Sequence, residues 1–227
     1  MAYDLEEQEQ LETLKAWWKQ YGSLVIWLAI AGVSSFAAWK SWTIYQRNQA
    51  AGASDMYEEV QKALTQKENA KVQGATTALV EKYSRTTYAS LAVLASAKSA
   101  FDAGDMKLAK TQLNWVVEHA SEKELVALAK LRLSVIALDE KDYELGLKLL
   151  AAEFPAQFEA EVLDHKGDIL LAKNLPVEAR LAYQSALKKM GEKMPGRAIV
   201  QIKLDALGGA VEEKPSVDQA STHGEKK

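Results

Sequence analysis

The chain has 227 residues, with 28 basic and 31 acidic side chains and no cysteine. Without cysteine it can form neither disulfides nor thiolate metal sites, and thiol catalysis is excluded. Residues 1–19 hold five acidic and two basic residues, which leaves 26 of each sign in residues 20–227. Because binding to a phosphate backbone needs an excess of basic residues, this balance argues against nucleic acid as a partner.

An uncharged run of twenty residues follows the acidic leader, with Gln20 first and Trp39 last. As a helix rising about 1.5 Å per residue it would be about 30 Å long, the thickness of the hydrocarbon core of a bilayer. We therefore predict a short leader at residues 1–19 and a transmembrane helix at residues 20–42. Aromatic rings favour the headgroup region, and they cluster at both ends of the run as Trp17, Trp18, Tyr21, Trp39, Trp42 and Tyr45.

Two other interpretations of the run fit its sequence less well. A cleaved signal peptide needs a basic start and a shorter apolar stretch, whereas this leader is acidic and residues 35–37 are the only tolerable cleavage segment. A buried core helix would have a polar face and would not need aromatic belts at both ends. The sequence thus predicts an uncleaved anchor. Its orientation stays open, because Lys15 and Lys19 on one side are matched by Lys40 and Arg47 on the other.

Beyond Asn48 the sequence predicts helices as far as Leu207, because apolar residues recur at spacings of three and four and no stretch alternates as a strand would. Residues 208–227 are predicted to be a disordered polar tail. Asp105, Ser121 and Asp142 are predicted helix N-caps, and Pro176 suits a first helical turn. The predicted breaks are Asn69, residues 84–86, 104–105, Ser121, 141–142, Pro155, 174–176 and 191–195.

Small residues recur twelve apart in successive helical hairpins, which begin 34, 37 and 33 residues apart. Small side chains let two helix backbones approach closely, and a large residue four positions later can fill the groove toward the next unit. This pattern resembles the tetratricopeptide repeat, a helix–turn–helix of about 34 residues. The small pairs, predicted to pack the hairpins, are Ala63 and Ala75, Ala97 and Ala109, Ser134 and Gly146, and Gly167 and Ala179; the large residues are Leu79, Leu113, Leu150 and Tyr183.

The match to the repeat is incomplete. The early aromatic residue and the closing proline of the pattern are absent, and Lys67 stands in the first unit where the later units have Phe101, Leu138 and Leu171. A generic helical bundle is the alternative. We predict an all-α protein, with a single N-terminal transmembrane helix followed by a tetratricopeptide-repeat-like helical solenoid at residues 43–207. This solenoid has about four hairpins and a closing helix at residues 197–207.

Stacked repeats form a concave face from the first helix of each hairpin, and such faces bind extended peptides or partner helices. The resemblance to the repeat implies a candidate groove that is apolar near the anchor and acidic toward the last unit. Each apolar member taken singly is more often core between helices than a ligand contact. The candidate groove residues are Tyr57, Val60, Leu64, Leu91, Leu94, Lys98, Phe101, Asp102, Leu131, Val135, Asp139, Asp164 and Asp168.

Little in the sequence indicates catalysis. His165 lies between Asp164 and Asp168, which would suit a metal or base cluster, but a charged and solvated helix face explains the same residues. No glycine-rich phosphate loop, His-Glu-x-x-His or Gly-x-Ser-x-Gly motif occurs. We predict no enzyme activity, catalytic residue, metal or cofactor, with an envelope hydrolase at His165 as the remote alternative.

Three N-terminal segments resemble the YfgM family of ancillary subunits of the bacterial SecYEG translocon. They are Tyr3-Asp-Leu-Glu-Glu-Gln-Glu-Gln-Leu11, Leu14-Lys-Ala-Trp-Trp-Lys-Gln-Tyr-Gly22 and Trp39-Lys-Ser-Trp-Thr-Ile-Tyr-Gln46. The resemblance extends to about Leu207. It implies a single-pass protein of the bacterial inner membrane, with its N-terminus in the cytoplasm and its repeats in the periplasm.

The same resemblance implies partners: the SecYEG translocon, a membrane-anchored chaperone like PpiD, and unfolded or secreted polypeptides. The expected function is a membrane-tethered protein-binding subunit that helps secreted chains pass to periplasmic chaperones. A general envelope-assembly scaffold, acting in outer-membrane or cell-wall biogenesis through the same groove, is the alternative.

Overall fold

The computed structural model describes residues 3–209, with side-chain environments from Glu9 onward. Within these residues the structure has no strand, which confirms the all-α prediction. Residues 210–227 of the predicted tail lie outside this part. The helices are α1 (Tyr3–Thr65), α2 (Asn69–Tyr83), α3 (Thr87–Asp102), α4 (Met106–His119), α5 (Lys123–Asp139), α6 (Tyr143–Leu150), a 3-10 turn (Ala156–Phe158), α7 (Glu159–Ala172), α8 (Pro176–Lys189) and α9 (Arg197–Ala206).

Helix α1 contains the uncharged run, and it is the one helix among residues 3–209 that is long and apolar enough to cross a membrane. Only 6% of its most apolar stretch is buried. Trp27 is 71% exposed and Val33 70% exposed. A core helix would hide such side chains against protein, so their exposure fits the apolar surroundings that lipid supplies. The chain divides into two compact units between Ser54 and Asp55, and α1 begins in the first unit and ends in the second.

The second unit is a stack of antiparallel helix pairs. The end of α1 packs on α2, followed by the pairs α3–α4, α5–α6 and α7–α8, with α9 against α8. The first helices of adjacent pairs also touch, as in α3–α5 and α5–α7. Contacts between successive pairs of this kind define a solenoid, so the tetratricopeptide-repeat-like prediction is confirmed.

Each helix pair turns through one residue in the left-handed region: Lys67, Gly104, Lys141 or Asn174, with φ between 56° and 82°. At every turn this residue donates its backbone N–H to the carbonyl three residues earlier, at 2.9 to 3.0 Å. The following residue donates to the carbonyl five residues earlier, at 2.8 to 3.0 Å. These paired bonds cap the orphan carbonyls at the end of the first helix. Four turns of one geometry therefore fix the register of the repeats.

The first helix pair, formed by the end of α1 and by α2, is out of register with the predicted repeat. Its turn residue precedes the turn residue of the second helix pair by 37 residues, and the later intervals are 37 and 33. The sequence pattern predicted 34 for the first interval. Measured from the turn, Val60 and Val72 occupy the positions of the small pairs, and both are fully buried. The assignment of Ala63 and Ala75 to these positions is wrong by three residues. Alanine pairs and valine pairs are both twelve apart here, so spacing alone could not distinguish them.

With the turn placed at Lys67, the first helix pair no longer departs from the repeat pattern at the end of its first helix. Leu64 stands three residues before its turn residue, as Phe101 and Leu138 do in the next two units. The predicted mismatch at Lys67 is therefore wrong, because Lys67 is itself the turn residue. The first helix of the first pair therefore ends with a large apolar side chain, as the first helices of the later pairs do.

Side chains at the helix ends explain why the helices begin where they do. Asp105 and Asp142 each accept a hydrogen bond from the amide three residues on, at 3.0 and 3.1 Å, and Pro176 is the first residue of α8. These three predictions are confirmed. Ser121 is not a cap: α5 begins two residues later, with Glu122 at the N-cap.

Candidate binding groove

The largely apolar cavity between α3 and α5, here called the α3–α5 socket, has a volume of about 240 Å³. That is enough space for one large apolar side chain. Lys98, Asp102 and Arg132 are its charged members. Its apolar wall consists of Ala97, Phe101, Leu113, Val135 and Ile136.

A second cavity of about 470 Å³ lies beside the socket, between α3 and the turn from α1 to α2. Leu64 and Asn69 line it from one side, and Ser99 lines it from α3. The ion pair between Lys98 Nζ and Asp102 Oδ2, at 2.5 Å, lines both cavities and forms their shared wall. The two cavities together follow the first helices of three successive pairs.

The structure divides the predicted groove residues into four groups, of which the last, Asp164 and Asp168, binds Lys203. Lys98, Phe101, Asp102 and Val135 line the socket, and Leu64 lines the second cavity. Leu91 and Tyr57 are half-buried, the latter with its ring 5.7 Å from that of Tyr88, and Asp139 is exposed on α5. The groove assignment of Val60, Leu94 and Leu131 is wrong, because these side chains are buried in the core. Apolar residues one helical turn apart can face either the groove or the next helix, and the sequence pattern is the same for both.

Asp164 and Asp168 are engaged within the protein. Lys203 of α9 lies 2.8 Å from a carboxylate oxygen of each, and the Tyr183 hydroxyl donates to Asp168 Oδ1 at 2.7 Å. Burial lowers the pKa of Lys203, but the two carboxylates together raise it above its ordinary value. Burial and the hydrogen bond to Asp168 raise the pKa of Tyr183 well beyond its usual range. The carboxylates of Asp164 and Asp168 therefore join α7 to α9 through Lys203. They bind a lysine of the protein itself and not a ligand at the acidic end of the predicted groove.

His165 on α7 forms a hydrogen bond with Ser134 on α5 and so links the first helices of two adjacent pairs. Its Nδ1 lies 3.3 Å from the Ser134 hydroxyl, which already donates to the Leu131 carbonyl at 2.7 Å. Ser134 is 1% exposed, so this serine–histidine contact offers no accessible nucleophile. Within residues 3–209, no group of three or more His, Cys, Asp or Glu side chains is placed to hold a metal.

Stability should depend on the titration of His165. Burial lowers its pKa, against the raising influence of Asp164, Asp168 and Glu161, while Lys203 lowers it further. The unfolded chain takes up a proton near pH 6.5 and the folded chain only at a lower pH. Between these values the unfolded state binds more protons, so the free energy of unfolding falls as pH drops below about 6.5.

His165→Gln should remove this contribution. We expect urea unfolding of the two proteins between about pH 5 and pH 8 to show a difference in stability that changes below about pH 6.5 and is constant above it. Asn114→Gln, which changes an exposed and non-titrating side chain of α4, is the control and should leave the dependence unchanged. Parallel curves for wild type and His165→Gln would contradict the assignment.

Arg132 is the groove residue that the sequence reading missed. It occupies the same repeat position as His165, nine residues before its turn residue, and it too reaches back to the preceding first helix. Its Nη1 donates to the Leu94 carbonyl at 3.0 Å. The sequence did hold a signal: Lys130 and Arg132 are the only charged residues between Glu124 and Asp139. A cation within so apolar a helix suggests a specific contact.

Comparison with known proteins agrees with the fold. A family model described as a tetratricopeptide repeat-like domain matches residues 15–209. Proteins of Neisseria gonorrhoeae and Haemophilus influenzae are each 31% identical over 91% of this chain and 100% of their own length. One of Escherichia coli is 27% identical over 80% of this chain and 87% of its own. All three are named ancillary SecYEG translocon subunit. No solved structure matches the chain significantly.

The solenoid and its match define a tetratricopeptide repeat-like protein carried on one apolar N-terminal helix. The match covers the whole length of the Neisseria and Haemophilus relatives, so it includes the N-terminal helix as well as the repeats. The chain belongs to the YfgM family, the ancillary SecYEG translocon subunits.

Proposed function

We propose that the protein works beside the SecYEG translocon as a membrane-tethered binding subunit. In this role it contacts secreted chains and helps them pass to periplasmic chaperones. The observation that carries the proposal is 31% identity over the whole length of relatives named ancillary SecYEG translocon subunits, spanning helix and repeats together. The α3–α5 socket and its neighbouring cavity supply a surface for the secreted chain.

The proposed orientation places the N-terminus in the cytoplasm and the repeats in the periplasm. A chaperone anchored in the same membrane, like PpiD, is the proposed receiver of the chain. Tethering makes weak binding useful, because a surface held near a channel exit meets emerging chains at an effective concentration on the order of millimolar. Rapid release then remains compatible with efficient capture.

Photo-crosslinking in cells tests this function. A photoreactive amino acid at Val33, exposed in the apolar run, should capture translocon subunits, and one at Lys98, exposed at the wall shared by the two cavities, should capture secreted chains. Asn114, exposed on α4, is the control position and should capture few of either. If no position captures translocon subunits or a PpiD-like chaperone, the translocon role is wrong. Capture of outer-membrane or cell-wall assembly factors would instead favour the scaffold role.

A further inference from the structure

The α3–α5 socket contains a cation without a matching anion. Among residues 3–209, none of the ion pairs within 4.0 Å includes Arg132. Its one hydrogen bond to protein there is the donation to the Leu94 carbonyl at 3.0 Å. A guanidinium has five N–H donors in a planar fork, so most of the Arg132 donors are left for another partner.

The acidic residue that lines the socket cannot balance this charge. Asp102 lines the same socket, but its carboxylate binds Lys98 at 2.5 Å. Burial lowers the pKa of Arg132, and the charge of Asp102 opposes this only in part. A half-buried cation in a largely apolar site is costly unless an anion joins it. The socket is thus complementary to a ligand that is apolar at one point and negative at the next.

We propose that the α3–α5 socket binds an unfolded polypeptide segment in which a large apolar side chain adjoins an aspartate or glutamate. The apolar side chain enters the cavity against Phe101 and Val135, and the neighbouring carboxylate accepts hydrogen bonds from Arg132. Guanidinium and carboxylate can pair through two parallel hydrogen bonds, which gives direction as well as affinity. This specificity rests on the proposed function only in that secreted chains reach the groove.

The test uses the full chain in lipid nanodiscs and fluorescein-labelled peptides. The reference peptide is Ser-Gly-Ser-Leu-Glu-Ser-Gly-Ser, and two others carry Gln or Lys in place of Glu. Fluorescence anisotropy, corrected with empty nanodiscs, gives the dissociation constants. We expect the Glu peptide to bind about tenfold more tightly than the Gln peptide, because a partly desolvated charge pair is lost. The Lys peptide should bind more weakly still.

Variants of Arg132 assign the preference. Arg132→Gln should bind the Glu and Gln peptides equally, and Arg132→Glu should prefer the Lys peptide. Loss of the bond to Leu94 could weaken the fold of these variants. A reversed preference in Arg132→Glu cannot arise from misfolding, so this variant keeps the test valid. Val135→Trp should fill the socket and weaken all three peptides. Lys148→Gln removes one exposed charge from α6 and is the matched control, which should keep the wild-type preference.

The outcomes separate the socket from the wider function. Equal wild-type binding of the Glu and Gln peptides, or no saturable binding at all, overturns the socket assignment and leaves crosslinking to the translocon intact. Absence of translocon crosslinks together with a clear Glu preference overturns the translocon role and keeps the socket. An unchanged preference in Arg132→Glu would show that another residue reads the carboxylate, and it too overturns the assignment.

Discussion

Gly167→Ala is expected to destabilise the repeat domain by about 1–2 kcal/mol. A Cβ at this position would lie 2.4 Å from Tyr183 Cε1 and 2.6 Å from its Cδ1. The ring cannot retreat easily, because Tyr183 is fully buried and its hydroxyl is bound to Asp168 at 2.7 Å. Overpacking of this kind costs about 1–3 kcal/mol, and the better helix propensity of alanine offsets up to ~1 kcal/mol. Urea unfolding followed by circular dichroism measures the difference.

Two other glycines are matched controls for this substitution. Gly74 lies inside α2 with no atom near its missing Cβ, so Gly74→Ala should stabilise by about 0.5–1 kcal/mol. At Gly146 the nearest atom would be Ile169 Cδ1 at 2.7 Å, the end of a flexible side chain that can turn away. Gly146→Ala should therefore fall between the other two. The same effect at Gly74 and Gly167 would show that the contact with Tyr183 has no energetic weight.

Lys203→Met should cost about 2–3 kcal/mol of stability. Lys203 is the shared partner of Asp164 and Asp168, whose side chains are 17% and 26% exposed. Removing the cation leaves two neighbouring carboxylates partly buried and mutually repelling, whereas methionine keeps most of the side-chain packing. Thermal and urea unfolding of the full chain in detergent would measure the loss.

The exposed ion pair between Lys189 and Glu159, at 2.6 Å, provides the comparison for Lys203. Its side chains are 57% and 44% exposed, so Lys189→Met should change stability by less than about 0.5 kcal/mol. Adding Asp164→Asn to Lys203→Met should recover part of the lost stability, because one of the unpaired charges is removed. Equal losses from the two lysine substitutions would refute the assigned role of Lys203.

Local features of this fold could be predicted because their causes are local. Asp105 and Asp142 mark helix starts by bonding amides three residues away, and Pro176 fits a first turn wherever the rest of the chain lies. The span was predictable for a similar reason, since a bilayer selects for length and apolarity alone. The first repeat was misplaced because its turn residue is Lys67, which gives no signal for a left-handed conformation that glycine or asparagine usually adopts.

Contacts between distant residues were beyond the sequence. Lys203 meets Asp164 across 39 residues, and Arg132 meets the Leu94 carbonyl across 38. Nothing in the spacing of helix residues distinguishes a carboxylate that lines a groove from one that binds a lysine of a later helix. The sequence therefore predicted Asp164 and Asp168 as groove residues and overlooked the arginine that lines the socket.

The neighbour-to-neighbour contacts of the stack determine where it can open. Contacts run between consecutive helices and between the first helices of adjacent pairs, so each pair is supported mainly by those on either side. In such arrays the terminal units fray with little free energy, while interior units open only when a neighbour does. Helices α3 and α5 belong to the two interior pairs. The socket thus lies in the segment that stays ordered longest when the ends fluctuate.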